Sequence, residues 1–188
     1  LVLYSLETAF IGLATIAYSA QLHETQLYWV AIAIITIKAL GVPYFLAWVI
    51  RKIEARSDPG AFLPIPMGMH VAIVFLAVSH LLAQFLPHSN AIPDGSGGAT
   101  AAISLLLTGT LFMLTRRVAL SQIIGFLTME NGIFLFAITQ TRGMPMIVEM
   151  GVLLDVLAAV MIAGLIMFRI KKSFEHIDVT QLNRLKEH

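Results

Sequence analysis

The sequence predicts an all-α, polytopic membrane protein with about six transmembrane helices, and three observations lead there. Of 188 residues, 58% are hydrophobic and only 12% are charged, about half the charge of an ordinary soluble domain. The apolar residues gather into six long stretches, each of a length that crosses a bilayer core. None alternates between apolar and polar positions as the strands of a membrane barrel do. Cysteine is absent, which excludes disulfide scaffolds, thiolate metal sites, iron–sulfur ligation and a cysteine nucleophile in this chain. Lys and Arg are too few to grip nucleic acid.

The stretches run Leu1–Ser19, Leu27–Ile50, Pro66–Leu86, Gly98–Leu114, Val118–Thr139 and Pro145–Phe168. Gln21–Gln26 reads as a small polar turn. Arg51–Ile65 is a longer connector in which Asp58-Pro59-Gly60 and Pro64 stop the helix and turn the chain. Pro87–Gly97 carries Pro-Asp-Gly-Ser-Gly, a flexible loop signature, while Arg116-Arg117 and Gln140–Met144 read as tight hairpin turns. The chain opens at Leu1 inside an apolar run, with neither a charged start nor a cleavage-site pattern. The expectation is that the numbering begins partway into the native protein, with N-terminal sequence missing.

Orientation follows from the basic residues. Arg51, Lys52, Arg56, Arg116, Arg117, Arg169, Lys171, Lys172, Arg184 and Lys186 fall on one side, and Arg142 alone falls on the other. The positive-inside rule makes the ten-residue side cytoplasmic, with the C-terminal tail. The formal net charge of +1 conceals this asymmetry.

The remaining basic residue, Lys38, lies inside a predicted helix, as do Glu7, Glu130 and Asp155; Glu149 lies nearer a helix end. A charge at the bilayer centre costs roughly 2.5–3.5 kcal/mol on insertion scales, so such residues face a partner or a wet cavity. A rise of about 1.5 Å per residue puts Glu130 ~18 Å, Lys38 ~20 Å and Asp155 ~21 Å from the cytoplasmic end. Three ionisable groups at one level suggest a path along the membrane plane. They do not suggest a pore straight across it. Two readings stand side by side: a static ion pair that holds helices together, and a proton relay whose members respond to each other's charge.

Tyr4-Ser5-Leu6-Glu7-Thr8 can be laid on Leu127-Thr128-Met129-Glu130-Asn131, and Lys38 precedes Arg51-Lys52 much as Asp155 precedes Arg169. The register raises two duplicated helical units, such as those that bracket the midplane of transport proteins. Its alternative is chance similarity between apolar segments. Pro43 removes the backbone hydrogen bond to the Ala39 carbonyl and should loosen the second helix near Lys38, with Gly41 easing deformation. His70 and His80 are ten apart and lie on different helix faces, whereas His80 and Gln84 share one. They read as packing residues, and the nine Met and eleven Phe read as packing or lipid-facing. No metal, nucleotide or nucleophile motif stands out.

From Arg116-Arg117 onward, Ile124-Gly125-Phe126, Glu130-Asn131 and a helix with a central acid and a basic end resemble the small three-helix K subunit of complex I. The longer relative, the hydrogenase-4 component E family of formate-hydrogenlyase-type complexes, is more similar still. That resemblance rests on Leu127-Thr128-Met129-Glu130-Asn131-Gly132, Val148-Glu149-Met150-Gly151, Asp155 and Ile177-Asp178-Val179 to Leu182. Thr36-Ile37-Lys38 and Val42-Pro43 extend it upstream. Two departures stand out. Leu127 occupies the place of the K subunit's first membrane glutamate, with Glu130 three residues later on roughly the same face. Asp155 stands near the second glutamate's place.

The resemblance implies a first helical unit over 1–65, an extra helix and loop over 66–97, a K-subunit-like three-helix unit over 98–170 and a cytoplasmic tail over 171–188. It implies two K-subunit-like repeats if the duplication holds. It further implies a non-catalytic membrane subunit of a group 4 NiFe-hydrogenase complex in the prokaryotic plasma (inner) membrane. Antiporter-like and other membrane subunits would be its neighbours. A peripheral redox arm would hold the NiFe and iron–sulfur centres, and this chain would hold no cofactor or metal. Lys38, Glu130 and Asp155 are the expected proton-relay residues, with Glu7 and Glu149 as entry or connecting groups. The other classes left open are a subunit of a multisubunit cation/proton antiporter and a purely structural membrane anchor.

Overall fold

The computed structural model describes residues 1–22, 25–52, 62, 64–86, 95–141, 151, 154–155, 158–164 and 167; no strand occurs among them. Helix α1 (Val2–Leu22) is followed by a second span in three parts: α2 (Thr25–Ala33), a π-helix (Ile34–Gly41) and α3 (Val42–Lys52). Helices α4 (Ile65–Gln84), α5 (Gly95–Thr115) and α6 (Ala119–Thr141) come next. Residues 154–155 and 158–164 are also helical. Among the described residues, five helical spans are long and apolar enough to cross a membrane: Val2–Gln21, Tyr28–Arg51, Pro66–Gln84, Gly97–Thr115 and Ala119–Gln140. The expected sixth span is described only in part, and Arg142–Met150 lies outside the described residues.

Two connectors are shorter than the sequence suggested. Gln21, Thr25 and Gln26, assigned to a polar turn, are helical, and Gly95-Ser96-Gly97 forms the start of α5 rather than the end of a loop. Gly and Ser are tolerated at a helix N-terminus because the first N–H groups lack intrahelical partners there, so loop composition and helix start overlap.

Helices α5 and α6 form a hairpin through Arg116-Arg117. In lipid no hydrophobic drive pushes helices together, so close backbone approach and van der Waals contact must supply the association. Glycines provide the approach. A Cβ at Gly109 would collide with the backbone of Met129 and the carbonyl of Gly125. One at Gly125 would sit 2.6 Å from the Met113 nitrogen, and one at Gly132 2.6 Å from that of Leu106. At the basic end of the hairpin, the Phe62 N–H donates to the Thr115 carbonyl (2.8 Å). The Arg117 guanidinium lies 4.2 Å over the Phe62 ring.

Helix α1 lies against the second span, with Gly12 under the Ile35 side chain. Tyr4, Leu46, Val49, Ile123, Leu127 and Ile162 form a shared core, which ties α1, α3, α6 and the 158–164 helix together. The loosening expected at Pro43 takes the form of a π-helix. Its last bond runs from the Val42 N–H to the Ile37 carbonyl, a five-residue step. The next bond would need an N–H from Pro43, which has none, so the proline sets where the π-helix ends. The Ala39 carbonyl, the acceptor that Pro43 leaves open in an α-helix, receives the Ser5 hydroxyl of α1 instead.

Replacing Gly109 by Ala should destabilise the chain by about 1–3 kcal/mol, because the added methyl meets fixed backbone. Gly68, where a Cβ would meet nothing within 4 Å, is the control, and Gly68→Ala should leave stability unchanged or raised. Unfolding titrations in mixed micelles compare the two variants.

Candidate functional site

The π-helix carries Lys38 on the face turned into the bundle, together with the buried Ile34 and Ala39. From α6, Glu130 reaches it: Lys38 Nζ donates to Glu130 Oε1 at 2.7 Å. Asp155 Oδ1 lies 3.5 Å from the same nitrogen. The two carboxylate oxygens are therefore no farther apart than the sum of those distances. One ammonium faces two carboxyl groups, so the cluster is neutral when one carboxyl carries a proton. Side-chain exposure grades the three, from 2% at Glu130 and 9% at Lys38 to 31% at Asp155. Glu130 is the innermost group and Asp155 the accessible one. A cavity of about 120 Å³ adjoins them, lined by Lys38, Glu130, Asp155, Ile34, Phe134 and Gly151 among others. Its lining is mostly apolar, with Lys38, Glu130 and Asp155 as its polar groups, and its volume has room for several waters.

A second polar cluster begins one residue along α6. Asn131 is buried, and its side-chain amide nitrogen donates to Glu7 Oε1 at 3.0 Å and to the Thr8 hydroxyl at 2.9 Å. The Thr128 hydroxyl donates to Glu7 Oε2 at 3.4 Å. Thr8 in turn donates to the Tyr4 carbonyl at 2.9 Å. Glu7 thus has neutral donors where Glu130 has a cation. It also borders an open, mostly apolar groove of about 480 Å³ lined by residues of α1, α4, α5 and α6, among them Phe10, Leu76, Ser104 and Leu135.

Of the residues singled out in the sequence, Lys38, Glu130 and Asp155 come together in one cluster. Glu7 belongs to the adjoining one, and Glu149 lies outside the described residues. The histidines stay apart: His70 Nδ1 is 2.7 Å from the Pro66 carbonyl, and His80 Nε2 is 3.3 Å from Gln84 Nε2. Among the described residues, no group of three or more His, Asp or Glu side chains is placed to hold a metal ion. Asn131, Thr8 and Ser5 were missed as polar partners. Asn131 could have been found beside Glu130 in the segment aligned with Tyr4–Thr8, whereas Ser and Thr in membrane helices carry little signal of their own.

Comparisons with known proteins identify the family. The family described as NADH-ubiquinone/plastoquinone oxidoreductase chain 4L matches residues 99–187, a region that contains Glu130, Asn131 and Asp155. Over 174 residues the chain is 30% identical to an uncharacterized protein of Mycobacterium tuberculosis, covering 88% of this chain and 75% of that protein. It is also 30% identical over 167 residues to hydrogenase-4 component E of Escherichia coli K12 and of Shigella flexneri, covering 87% of this chain and 74% of each relative. No solved structure matches it. With that identity sustained over most of both sequences, the chain belongs to the hydrogenase-4 component E family.

Proposed function

We propose that the chain is a membrane subunit of a complex I-related group 4 NiFe-hydrogenase of formate-hydrogenlyase type, and that it forms part of the intramembrane polar axis that couples redox chemistry to proton translocation. The observation that carries this reading is Lys38, held between Glu130 and Asp155 beside a cavity large enough for water. In this reading the catalytic NiFe and iron–sulfur centres belong to a peripheral arm, and antiporter-like subunits flank the chain in the prokaryotic plasma membrane.

The cluster's chemistry is a displacement of charge within the membrane plane. A proton that arrives at Asp155 removes that group's charge, and the Lys38 ammonium is then held by Glu130 alone. A proton on Glu130 reverses the balance. Each transfer leaves the net charge of the cluster defined by a single proton, so the group passes a signal without stranding a bare charge in low dielectric. Glu7, with Asn131 and Thr128, continues the polar series towards the open groove, and Glu149 is assigned the same connecting role.

Three measurements separate this reading from its competitors. Glu130→Gln should lower redox-driven proton translocation in vesicles by about 100-fold, the low end of what a positioned acid–base group contributes, while the complex still assembles. Wild-type coupling in that variant overturns the relay role. Lys38→Met leaves two carboxyl groups facing no cation and should cost about 3–5 kcal/mol of stability. In the relay reading the complex that still forms is uncoupled, whereas a purely structural anchor gives fewer complexes with normal coupling. Ion transport by a gently purified assembly with no hydrogenase partner would instead favour the cation/proton antiporter class.

Orientation has its own test, made simple by the absence of cysteine from this chain. A single cysteine at Lys186 should resist an impermeant thiol reagent in intact cells, and one at Gln21 should react with it. The reverse pattern would invert the proposed topology.

A further inference from the structure

The two polar clusters share one turn of α6, yet no direct hydrogen bond joins them among the described residues. Glu130 turns to Lys38 and Asp155, while Asn131 turns to Glu7 and Thr8. Tyr4 shares a buried cluster with Leu127, which lies one helical turn before Glu130 on α6. Tyr4 is only 3% exposed. Its hydroxyl has no hydrogen-bond partner among the described residues, and neither does the second oxygen of Glu130, which is also buried. The hydroxyl of Thr8 has already given its proton to the Tyr4 carbonyl and accepts from Asn131, so it could meet Tyr4 only through its second lone pair, and no such hydrogen bond forms.

The ring of Tyr4 is explained by the core it fills with Leu46, Val49 and Leu127. A phenylalanine would fill that core as well. The hydroxyl is what needs an account, because buried polar atoms in folded proteins are satisfied by protein groups or ordered water.

We propose that the Tyr4 hydroxyl and the free Glu130 oxygen hold a buried water that joins the Glu7 network to the Lys38–Glu130–Asp155 cluster. Tyr4 is then a positioning residue. The water takes a proton from one carboxyl group and gives a different proton to the other carboxylate, so water is regenerated and one positive charge moves between the clusters. The Tyr4 hydroxyl keeps its own proton and orients the water. This step completes a lateral series: the cavity beside Asp155, the lysine cluster, the water, Glu7 and the open groove beyond it. The inference rests on the relay reading above.

The test uses the intact complex. A cryo-electron microscopy map that resolves waters should show one within hydrogen-bond distance of both Tyr4 Oη and Glu130 Oε2, and Tyr4→Phe should remove it. With hydrogen turnover and complex yield at wild-type levels, that variant should pump about fivefold fewer protons per electron, the effect of losing one hydrogen bond. A dry site in the unmodified complex overturns the inference, as does normal pumping by Tyr4→Phe. Normal pumping there while Glu130→Gln is uncoupled removes only the water link, whereas normal pumping in Glu130→Gln removes the relay reading itself. Should Tyr4→Phe fail to assemble, the map of the unmodified complex decides.

Discussion

An ammonium held in an apolar layer has to be met by anions, and much of this structure is arranged around meeting that of Lys38. Its desolvation costs several kcal/mol, which a carboxylate at 2.7 Å with good geometry can offset. Three separate elements must therefore converge to within a side chain's reach: the π-helix, α6 and the helical residues around Asp155. The Tyr4–Leu46–Leu127–Ile162 core holds them there. Because Glu130 is almost fully buried, any shift that parted it from Lys38 would leave its carboxylate uncompensated in a low dielectric. The ion pair gives the bundle little net stability of its own, but it penalises every arrangement in which these helices are misplaced.

The π-helix is the local cost of putting the lysine there. Five-residue steps widen the helix, and Pro43 ends the run because it has no N–H to continue the ladder. The carbonyl opposite it at Ala39 would be costly to leave open in a membrane. Ser5 supplies the donor, so the same α1 that carries Glu7 and Tyr4 also repairs the backbone beside Lys38. A distortion that needs a second helix to satisfy it fixes the position of that helix.

Depth was legible in the sequence and azimuth was not. The constant rise of an α-helix placed Lys38, Glu130 and Asp155 within a few ångströms of one level, and their contacts agree with that. Which way each residue points depends on packing, which for α6 depends on Gly109, Gly125 and Gly132 meeting backbone. For the second span it depends on the π-helix, where a 3.6-residue period does not apply. Glu7 illustrates the difference. Its charge marked it in the sequence, but nothing there distinguished a place in the lysine cluster from one beside it. Its neutral partners Asn131 and Thr128 settle this. Connector lengths were the weakest reading, since Gly95-Ser96-Gly97 looks like a loop and begins a helix.

The segments that the sequence lays on one another, Tyr4–Thr8 and Leu127–Asn131, also pack against one another, with Glu7 and Thr8 bonded to Asn131. A carboxylate on each segment then has a different environment: a cation for Glu130, amide and hydroxyl groups for Glu7. Charge held by neutral dipoles responds strongly to a change next door, whereas charge held by an ion pair responds by exchanging partners. One lysine thus faces two carboxyl groups, while Glu7, on α1, is met only by neutral hydrogen-bond donors among the described residues.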